Sequence, residues 1–299
     1  MAHYSIKELE ELSGIKAHTI RIWEKRYAIF APGRTSTNIR LYSDEDLKKV
    51  ISVSLLNQNG LKISKIADLT AEELSKQISQ LSERQVTPEF HMDRLVMAMV
   101  DLDEEKFEST LSELIGRFGF EHAILRIVYP FLEKIGILWL TGNITPLQEH
   151  FISNLLRQKI LVAIDGLPLA PRTAPKILLF LPQDEMHELG LLFNYYLVKK
   201  EGFRGYYLGQ RVPHEDVRWF CVHHKPVALI TNITTSPGPH FVEPYLQNLC
   251  LENPKITVLA GGPQPRKMAL RMPKNLHIVE STTQFQSLLQ GLRRPSQKP

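Results

Sequence analysis

The stretch YSIKELEELSGIKAHTIRIWEKRYAIFAPGRTSTNIRLYSDEDL, residues 4–47, decides the fold of the N-terminal part of the chain. Ser5 with Glu8 makes a capping box, which predicts the start of a helix. Gly14 supplies a tight turn, and a second helix is predicted from about Lys16 to Arg26. One face of this second helix carries Lys16, His18, Thr19, Arg21 and Lys25. A helix, a glycine turn and a helix with exposed cations are typical of helix-turn-helix proteins, which read DNA.

A basic loop and a further helix complete this unit. The loop begins at Pro32-Gly33-Arg34-Thr35 and leads to Arg40-Leu41-Tyr42, and Ser43 with Asp46 caps the next helix. In a helix-turn-helix unit such a loop is expected to form a wing. From charge and turns alone, a solvated helical face with scattered charges is the alternative interpretation.

The order of these residues resembles the MerR family over the whole of its DNA-binding domain. The runs IRIWEKRY, residues 20–27, and RLYSDEDL, residues 40–47, carry the resemblance. It implies a winged helix-turn-helix whose second helix brings Thr19 and Arg21 to the major groove, with Lys16 and His18 beside them. It also implies that phosphates, which fix the register on DNA, are held by Tyr27, Arg34, Arg40 and Tyr42.

Composition and charge exclude several protein classes. The chain has 299 residues, enough for two or three domains, and its net charge of +4 is too mild to prove nucleic-acid binding. Its two cysteines, Cys221 and Cys250, form no CxxC pair, which argues against a disulfide scaffold or a thiolate zinc site. No apolar run approaches the ~20 residues that cross a bilayer, and no signal peptide pattern is present. We therefore expect a cytoplasmic protein.

The middle of the chain, from His91 to about Asp165, has a helical pattern throughout. Four amphipathic segments with short connections predict a four-helix bundle. One stretch, GILWLTGNITPLQEHFISN, places Trp139 before a glycine-containing turn and Glu149 with His150 on the first turn of the last helix. Taken alone, these residues are best explained as a tryptophan of the core and an acid–histidine pair exposed to solvent.

The C-terminal part alternates strands with helical patterns. Five strands are predicted, at Lys176–Leu181, Gly205–Gly209, Val227–Ile233, Lys255–Gly262 and Leu276–Val279. This alternation predicts a doubly wound, Rossmann-like α/β domain, which binds ligands at the carboxyl ends of its parallel strands.

Three short motifs follow the ends of these strands. They are Glu185-Met186-His187-Glu188-Leu189-Gly190, Thr231-Asn232-Ile233 and Gly261-Gly262. In this order they resemble the cobalamin-binding signature of methionine synthase and the methylmalonyl mutases. The resemblance implies that His187 is the lower axial ligand of cobalt and that Glu185 orients its imidazole. It further implies contacts to the buried nucleotide tail from Gly190, Thr231, Ile233, Gly261 and Gly262.

Because a cobalamin-binding module follows it in the chain, the stretch around Trp139 has a second interpretation. Trp139, nine intervening residues, and Glu149-His150 match the W-x9-E-H motif of the CarH and LitR family of light sensors. The resemblance implies that these three residues contact the adenosyl group of adenosylcobalamin. The family has a histidine after that tryptophan, which captures cobalt in the light, whereas this chain has Leu140. A light response that depends on a histidine at this position is therefore impossible here.

The sequence divides the chain into three domains. The expected parts are a winged-helix DNA-binding domain (1–75), a linker (76–90), a four-helix bundle capping the cobalamin (91–167), a linker (168–175), a cobalamin-binding domain (176–293) and a tail (294–299). The pair His223-His224 near Cys221 suggests a metal site, but no further acid or thiol lies at ligand spacing. We therefore interpret the pair as helix surface.

Together, these features predict a DNA-binding transcriptional regulator, a repressor without enzymatic turnover. The expected partners are a duplex DNA operator, adenosylcobalamin and further copies of the chain in a dimer or tetramer, and light is the expected signal. One alternative is a regulator of the same architecture that an antirepressor protein controls with little cobalamin dependence. A second alternative is the cobalamin carrier of a methyltransferase, but the remaining residues here form a DNA reader and leave none for a catalytic domain.

Overall fold

The computed structural model describes residues 3–82, 88–140, 144–235, 239–268 and 273–293. The chain divides into two compact units, residues 1–155 and 156–299. In the first unit lie α1 (Ile6–Ser13), α2 (Ala17–Tyr27), β1 (Gly33–Arg34), β2 (Arg40–Leu41), α3 (Asp44–Gln58), α4 (Ile63–Ala67), α5 (Ala71–Ser82), α6 (Pro88–Asp101), α7 (Glu104–Phe118), α8 (Phe120–Ala123) and α9 (Tyr129–Leu140). The boundary between the units falls within α10 (Pro146–Asp165).

The N-terminal elements form the predicted winged helix-turn-helix. Both capping boxes are present: Ser5 with Glu8 begins α1, and Ser43 with Asp46 begins α3. Gly14 ends α1 in the left-handed conformation that this turn requires. The short antiparallel strands β1 and β2 form the wing.

Four helical segments form the predicted bundle: α6, α7, the continuous α8 and α9, and α10. A π-helical turn over residues 124–128 joins α8 to α9. Phe107 of α7 lies at the centre, with its ring 6.1 Å from that of Phe131 and 6.4 Å from that of Phe151. Within the described residues, no helix combines the length and apolar character needed to cross a membrane.

The linker predicted at residues 76–90 is wrong over much of its length. Helix α5 continues to Ser82, and α6 begins at Pro88. The polar residues of α5 concealed a narrow apolar stripe, in which Leu74 is buried and Ile78 is partly buried. The other domain boundaries stay predictions, and the predicted tail, residues 294–299, lies outside the described residues.

The second unit is a doubly wound α/β domain, as predicted. Its strands and helices are β3 (Lys176–Pro182), α11 (Leu189–Lys200), β4 (Arg204–Val212), α12 (His214–His224), β5 (Ala228–Asn232), α13 (Pro239–Glu252), β6 (Thr257–Gly261), β7 (Leu276–Ile278) and α14 (Thr282–Arg293). The five strands are parallel and lie in the order β4-β3-β5-β6-β7. Residues of α12 and α13 pack with strand residues in one apolar core.

The strand order places a switch point between β3 and β5. From β3 the chain goes first to β4 on one side and then returns to β5 on the other. Connections that leave in opposite directions open a crevice at the carboxyl ends of the two strands, where open α/β sheets bind their ligands. Two of the three cobalamin-like motifs, at residues 185–190 and 231–233, follow these two strands.

The surrounding backbone favours glycine at position 262, just after β6. The φ of Gly262 is +96°, and a Cβ atom there would lie 2.4 Å from the carbonyl oxygen of Ile233. We expect Gly262→Ala to lower the free energy of unfolding by about 1–3 kcal/mol, because the new methyl group meets backbone and the φ is strained. Urea denaturation measures the change.

Gly291 gives the matched control for this substitution. It lies in α14, is exposed, and has no heavy atom within 4 Å of the Cβ position. Gly291→Ala is expected to stabilise the protein by about 0.5–1 kcal/mol, because alanine loses less conformational entropy in a helix. Equal effects of the two substitutions would contradict this assignment of Gly262.

Candidate cofactor site and nucleic-acid interface

The loop after β3 joins a buried acid to a histidine. Glu185 is 2% exposed, and its Oε1 lies 2.6 Å from Nδ1 of His187. The same oxygen accepts the backbone N–H groups of Met186 and His187, each at 2.9 Å. The other oxygen accepts the N–H groups of Thr234, at 2.6 Å, and Thr235, at 2.9 Å, in the loop after β5. One carboxylate therefore connects the loops on both sides of the switch point.

These hydrogen bonds keep Glu185 charged. Burial alone would raise its pKa, but the hydrogen bonds from the His187 side chain and from the amides of His187, Thr234 and Thr235 bring the pKa down to about 2. A carboxylate at Nδ1 favours the tautomer with a lone pair on Nε2, the nitrogen that a metal takes. The His187 side chain is 54% exposed. The pair therefore has the chemistry of a metal-binding histidine supported by a carboxylate.

Thr231, the residue before the last one of β5, has a buried hydroxyl group. Its side chain lies on the face of the sheet that carries Leu229 and Ile233, because side chains alternate along a strand. Among the described residues, Thr231 Oγ1 has no hydrogen-bond partner. A buried hydroxyl without a partner costs about 1–3 kcal/mol. This atom therefore indicates where the polar part of a ligand would enter.

Two of the motif glycines surround Asn232, a residue that sequence reasoning missed. A Cβ atom on Gly190 or on Gly261 would lie 2.7 Å from the side-chain amide of Asn232. That amide lies 3.1 Å from the side chain of Asn194 on α11. Sequence analysis assigned this space to the ligand, whereas the structure places the Asn232 amide in it. No local signal in the sequence identifies Asn232, because Gly190 and Gly261 lie on other elements.

The residues at this edge fit a cobalamin. The cofactor itself would supply the other ligands of cobalt, from its corrin ring and its adenosyl group, so one imidazole is sufficient from the protein. His187 with Glu185 behind it meets that need, and the Thr231 hydroxyl provides a partner for the buried tail. No group of three or more His, Cys, Asp or Glu that could hold a bare metal ion occurs in the part of the chain that the structure describes.

A second acid supports the histidine loop. Glu188, next to His187, accepts a hydrogen bond from Arg157 Nε at 2.6 Å and from the Tyr207 hydroxyl at 2.8 Å. Arg157 belongs to α10 and Tyr207 to β4, the edge strand of the sheet. The part of α10 that belongs to the second unit is therefore anchored beside the His187 loop. Sequence analysis quoted Glu188 but gave it no role, because its partners are distant in sequence.

The W-x9-E-H residues lie in the first unit. Trp139 is 43% exposed, so the alternative interpretation as a core tryptophan is wrong. Glu149 and His150 lie on the first turn of α10, as predicted, with 2.6 Å between Glu149 Oε2 and His150 Nδ1. The side chain of Leu140 lies outside the described residues. Contacts of these residues with an adenosyl group stay predictions.

The histidine pair of α12 has a structural explanation. The ring of His223 stacks on Trp219 with 4.3 Å between centroids, and that of His224 stacks on Phe220 at 4.4 Å. Cys221 is buried, and burial raises the pKa of its thiol to about 11. The interpretation of this pair as helix surface agrees with these contacts.

The cationic face of α2 is open to solvent. His18 and Arg21 are exposed, and Thr19 and Tyr27 are half-buried. Lys16 forms an exposed ion pair with Glu10 at 2.9 Å, and Arg34 of the wing donates to the Asn38 side chain at 2.7 Å. One further residue on the exposed face, Ile22, was missed because it is apolar; it is 51% exposed. The side chains predicted to approach bases are accessible, and their contacts with DNA stay predictions.

Tyr42 was predicted to hold a phosphate, and the structure corrects this. Its side chain is fully buried, and its hydroxyl points to Glu24 Oε2 at 3.5 Å. Glu24 also accepts from Arg40 Nε, with 3.1 Å and 3.0 Å to its two oxygens. Tyr42 and Glu24 therefore hold the wing residue Arg40 against α2. Sequence analysis quoted Glu24 but could not find this role, which depends on a partner 16 residues away.

Comparison with known proteins identifies two domains of the chain. Residues 4–73 match the model of the MerR HTH family regulatory proteins, and residues 92–163 match that of the B12 binding domain. The chain is 29% identical over 270 residues to the HTH-type transcriptional repressor CarH of Myxococcus xanthus, covering 88% of this chain and 90% of the relative. It is 25% identical over 259 residues to the repressor CarA of the same organism, covering 86% and 85%. The chain is thus homologous to these repressors over most of its length.

Comparison with solved structures agrees with the fold. The monomethylamine corrinoid protein of Methanosarcina barkeri aligns with a TM-score of 0.56 at 15% identity, covering 68% of this chain and 98% of that protein. The chain therefore joins a MerR helix-turn-helix domain to a helical region that matches the B12 binding domain and to a Rossmann-like domain. It is a DNA-binding regulator with a B12 binding domain.

The low pKa of Glu185 gives the second unit a defined acid sensitivity. Because the pKa falls from 4.5 to about 2 on folding, the carboxylate stabilises the native state above pH 4.5, and this is lost as pH falls towards 2. The shift corresponds to about 3 kcal/mol. We expect Glu185→Gln to destabilise the protein at pH 7 and to flatten the dependence of unfolding free energy on pH between 5 and 3.

The matched control is Glu280→Gln, an exposed acid after β7. Chemical denaturation of the three proteins at several pH values, followed by circular dichroism, makes the comparison. If Glu185→Gln has the same pH profile as the wild type, the carboxylate is not held as described.

Proposed function

Because this chain joins a MerR helix-turn-helix domain to a B12 binding domain, we propose that it is a transcriptional repressor controlled by adenosylcobalamin and by light. The observation that carries the cofactor assignment is the Glu185–His187 pair at the switch point of the sheet. Both full-length relatives named above are transcriptional repressors. We propose binding and release of DNA, without enzymatic turnover.

Each group of site residues has a separate task in this proposal. His187 holds the cobalt from below, and Glu185 fixes the orientation of its imidazole. Thr231 and Ile233 receive the nucleotide tail, with Asn232 setting the spacing of the neighbouring loops. Trp139, Glu149 and His150 contact the upper, adenosyl face. The cofactor itself supplies a cobalt–carbon bond that light breaks.

The DNA-binding residues divide by the part of DNA that they contact. Arg21 and Thr19 on α2 read base edges in the major groove, with Lys16 and His18 beside them. Tyr27, Arg34 and Arg40 hold phosphates and set the register. Assembly of several chains on adenosylcobalamin engages several DNA readers at once and raises the overall affinity without new contacts.

The cofactor assignment predicts the spectrum of the loaded protein. We expect one cobalamin per chain, with His187 in place of the nucleotide base as lower ligand. His187→Ala should greatly weaken binding or return the absorption spectrum to the base-on form, because the replacing imidazole is removed. The control is His223→Ala on the outer face of α12. An unchanged affinity and spectrum in His187→Ala would exclude the assignment.

The DNA assignment predicts different effects for two arginines. On a duplex selected by the wild type from a random library, Arg21→Ala should cost about 1–3 kcal/mol, with little effect on a mixed-sequence duplex. Arg40→Ala should weaken binding to both duplexes equally. It should also lower the slope of log affinity against log salt concentration by the amount expected for about one phosphate contact. Fluorescence anisotropy at several salt concentrations measures both quantities.

Arg117→Ala is the control for these variants, because Arg117 lies on α7 of the bundle. Affinity that does not depend on salt, or an Arg40→Ala variant that binds like the wild type, would argue against this docking of the wing.

The light response predicts a role for position 140. The adenosylcobalamin complex should assemble into dimers or tetramers in the dark and dissociate in green light. With fresh adenosylcobalamin added for a second dark period, the wild type should reassemble sooner than a Leu140→His variant, because Leu140 offers no nitrogen that would retain the photolysed cofactor. His150 is the nearest alternative histidine in sequence. Size-exclusion chromatography in the dark, after illumination and after a second dark period measures this.

The outcomes of this experiment separate two kinds of regulator. Equally complete and permanent dissociation of the wild type and Leu140→His would contradict the role of Leu140. If neither protein assembles in the dark, the light-sensing proposal fails, and control by an antirepressor protein becomes the better explanation.

A further inference from the structure

Among the described residues, two contacts between the DNA-binding domain and the bundle have defined side-chain partners in the first unit. In one, α3 meets α6: Lys48 Nζ lies 2.7 Å from Asp101 Oδ1, and the Ser52 hydroxyl is 3.8 Å from the sulfur of Met97. In the other, Lys134 of α9 reaches the end of α1. Only the second contact involves the helix that also carries Trp139.

Lys134 joins three helices through one ammonium group. Its Nζ donates to the carbonyl oxygen of Leu12 in the last turn of α1. The same nitrogen lies 3.7 Å from Oδ1 of Asp93 on α6. The side chains of Lys134 and Asp93 are 19% and 9% exposed. The contact is therefore a mostly buried charge pair at the junction of two domains.

The position suits a cation. The last carbonyl groups of a helix lack partners within the helix and carry a partial negative charge, so an ammonium group there is favourable. Gly14 turns the chain away after Ser13, which leaves the carbonyl group of Leu12 facing α9. Lys134 is therefore fixed to the DNA reader through the backbone of α1.

Stability alone does not explain a charge pair at this place. Burial raises the pKa of Asp93 to about 7 and lowers the pKa of Lys134. The attraction between the two groups opposes both shifts but does not cancel them. Apolar residues of similar volume are often as stable as a buried ion pair, whereas a pair with fixed geometry specifies one arrangement. The pair specifies how α9 lies against α6, and it holds the Lys134 ammonium group where it donates to the Leu12 carbonyl group of α1.

Helix α9 is also the helix that would detect the cofactor. Trp139 follows Lys134 by five residues, which places the two side chains about 140° apart around the helix. The π-helical turn at residues 124–128 precedes α9, and such turns are common at functional sites. One helix thus contacts the DNA reader on one side and presents the exposed Trp139 on another.

We propose that Lys134 transmits the state of the cofactor from α9 to the DNA-binding domain, by holding α1 through the carbonyl group of Leu12. This inference rests on the proposed function and names its internal coupling. A displacement of α9 at Trp139 moves Lys134, and with it α1 and the adjoining recognition helix α2. The α3–α6 contact keeps the two domains attached but does not report on the cofactor.

The test uses the full-length protein with Lys134 and Asp93 replaced together. Lys134→Met with Asp93→Leu substitutes an apolar pair for the charge pair, which avoids leaving one buried charge alone. The control is Lys106→Met, an exposed lysine of the same bundle. Two quantities are measured with and without adenosylcobalamin in the dark: the Kd for the selected duplex, and hydrogen exchange of residues 9–20 without DNA.

In the wild type and in Lys106→Met, adenosylcobalamin should change both quantities. In the double variant, the cofactor spectrum should be retained, the cofactor effect on Kd should fall at least fivefold, and hydrogen exchange of residues 9–20 should no longer respond. A double variant that responds like the wild type overturns the proposal. So does a wild type in which hydrogen exchange of α1 is the same with and without adenosylcobalamin. If wild-type Kd ignores the cofactor, the proposed function fails, and the exchange data alone decide on the coupling.

Discussion

The structure depends most on the carboxylate of Glu185. It is buried at the switch point of a parallel sheet, where it accepts hydrogen bonds from two loops and from the imidazole of His187. A buried carboxylate must be fully hydrogen-bonded, so its five donors are held in place as firmly as the acid itself. The histidine thereby gains a fixed ring orientation before any ligand is bound. Such preorganisation is what a metal ligand with a half-exposed side chain needs.

The first unit uses the same device twice. Glu24 holds Arg40 of the wing against α2. Asp93 forms an ion pair with Lys134, whose ammonium group binds the end of α1. In each case a partly or wholly buried acid positions a cation that would otherwise sample many rotamers. The DNA reader is therefore organised by acids that do not contact DNA in the proposed mode. These acids contribute more to the geometry of the DNA reader than to its stability, since buried ion pairs add little to the free energy of folding.

Local features of the sequence predicted most of the fold. The capping boxes at Ser5 and Ser43 fixed helix starts, because a cap and its partner lie three residues apart. The strands β3, β5 and β6 were found because buried parallel strands are continuous apolar runs. Helix α5 was cut short in the prediction because its exposed surface is mostly polar. The histidine with its acid partner was also found, since the two residues are separated by a single position.

Features that depend on distant residues could not be predicted. The burial of Tyr42 follows from its packing beside Tyr4 and Glu24, and the role of Asn232 from two glycines on other elements. Lys134 is one lysine among many in the sequence, and only the fold brings it to Leu12, 122 residues away. Each of these contacts joins elements far apart in the chain, where sequence patterns carry no information about distance.

The central claim is that the cofactor site controls the DNA-binding domain of the same chain. The most direct test is the Kd of the wild-type protein for its selected duplex, measured in the dark at fixed salt with and without adenosylcobalamin. The account predicts at least about tenfold tighter binding with the cofactor, because assembled chains bind with several readers. An equal Kd under the two conditions, with cobalamin shown spectroscopically to be bound, would contradict it.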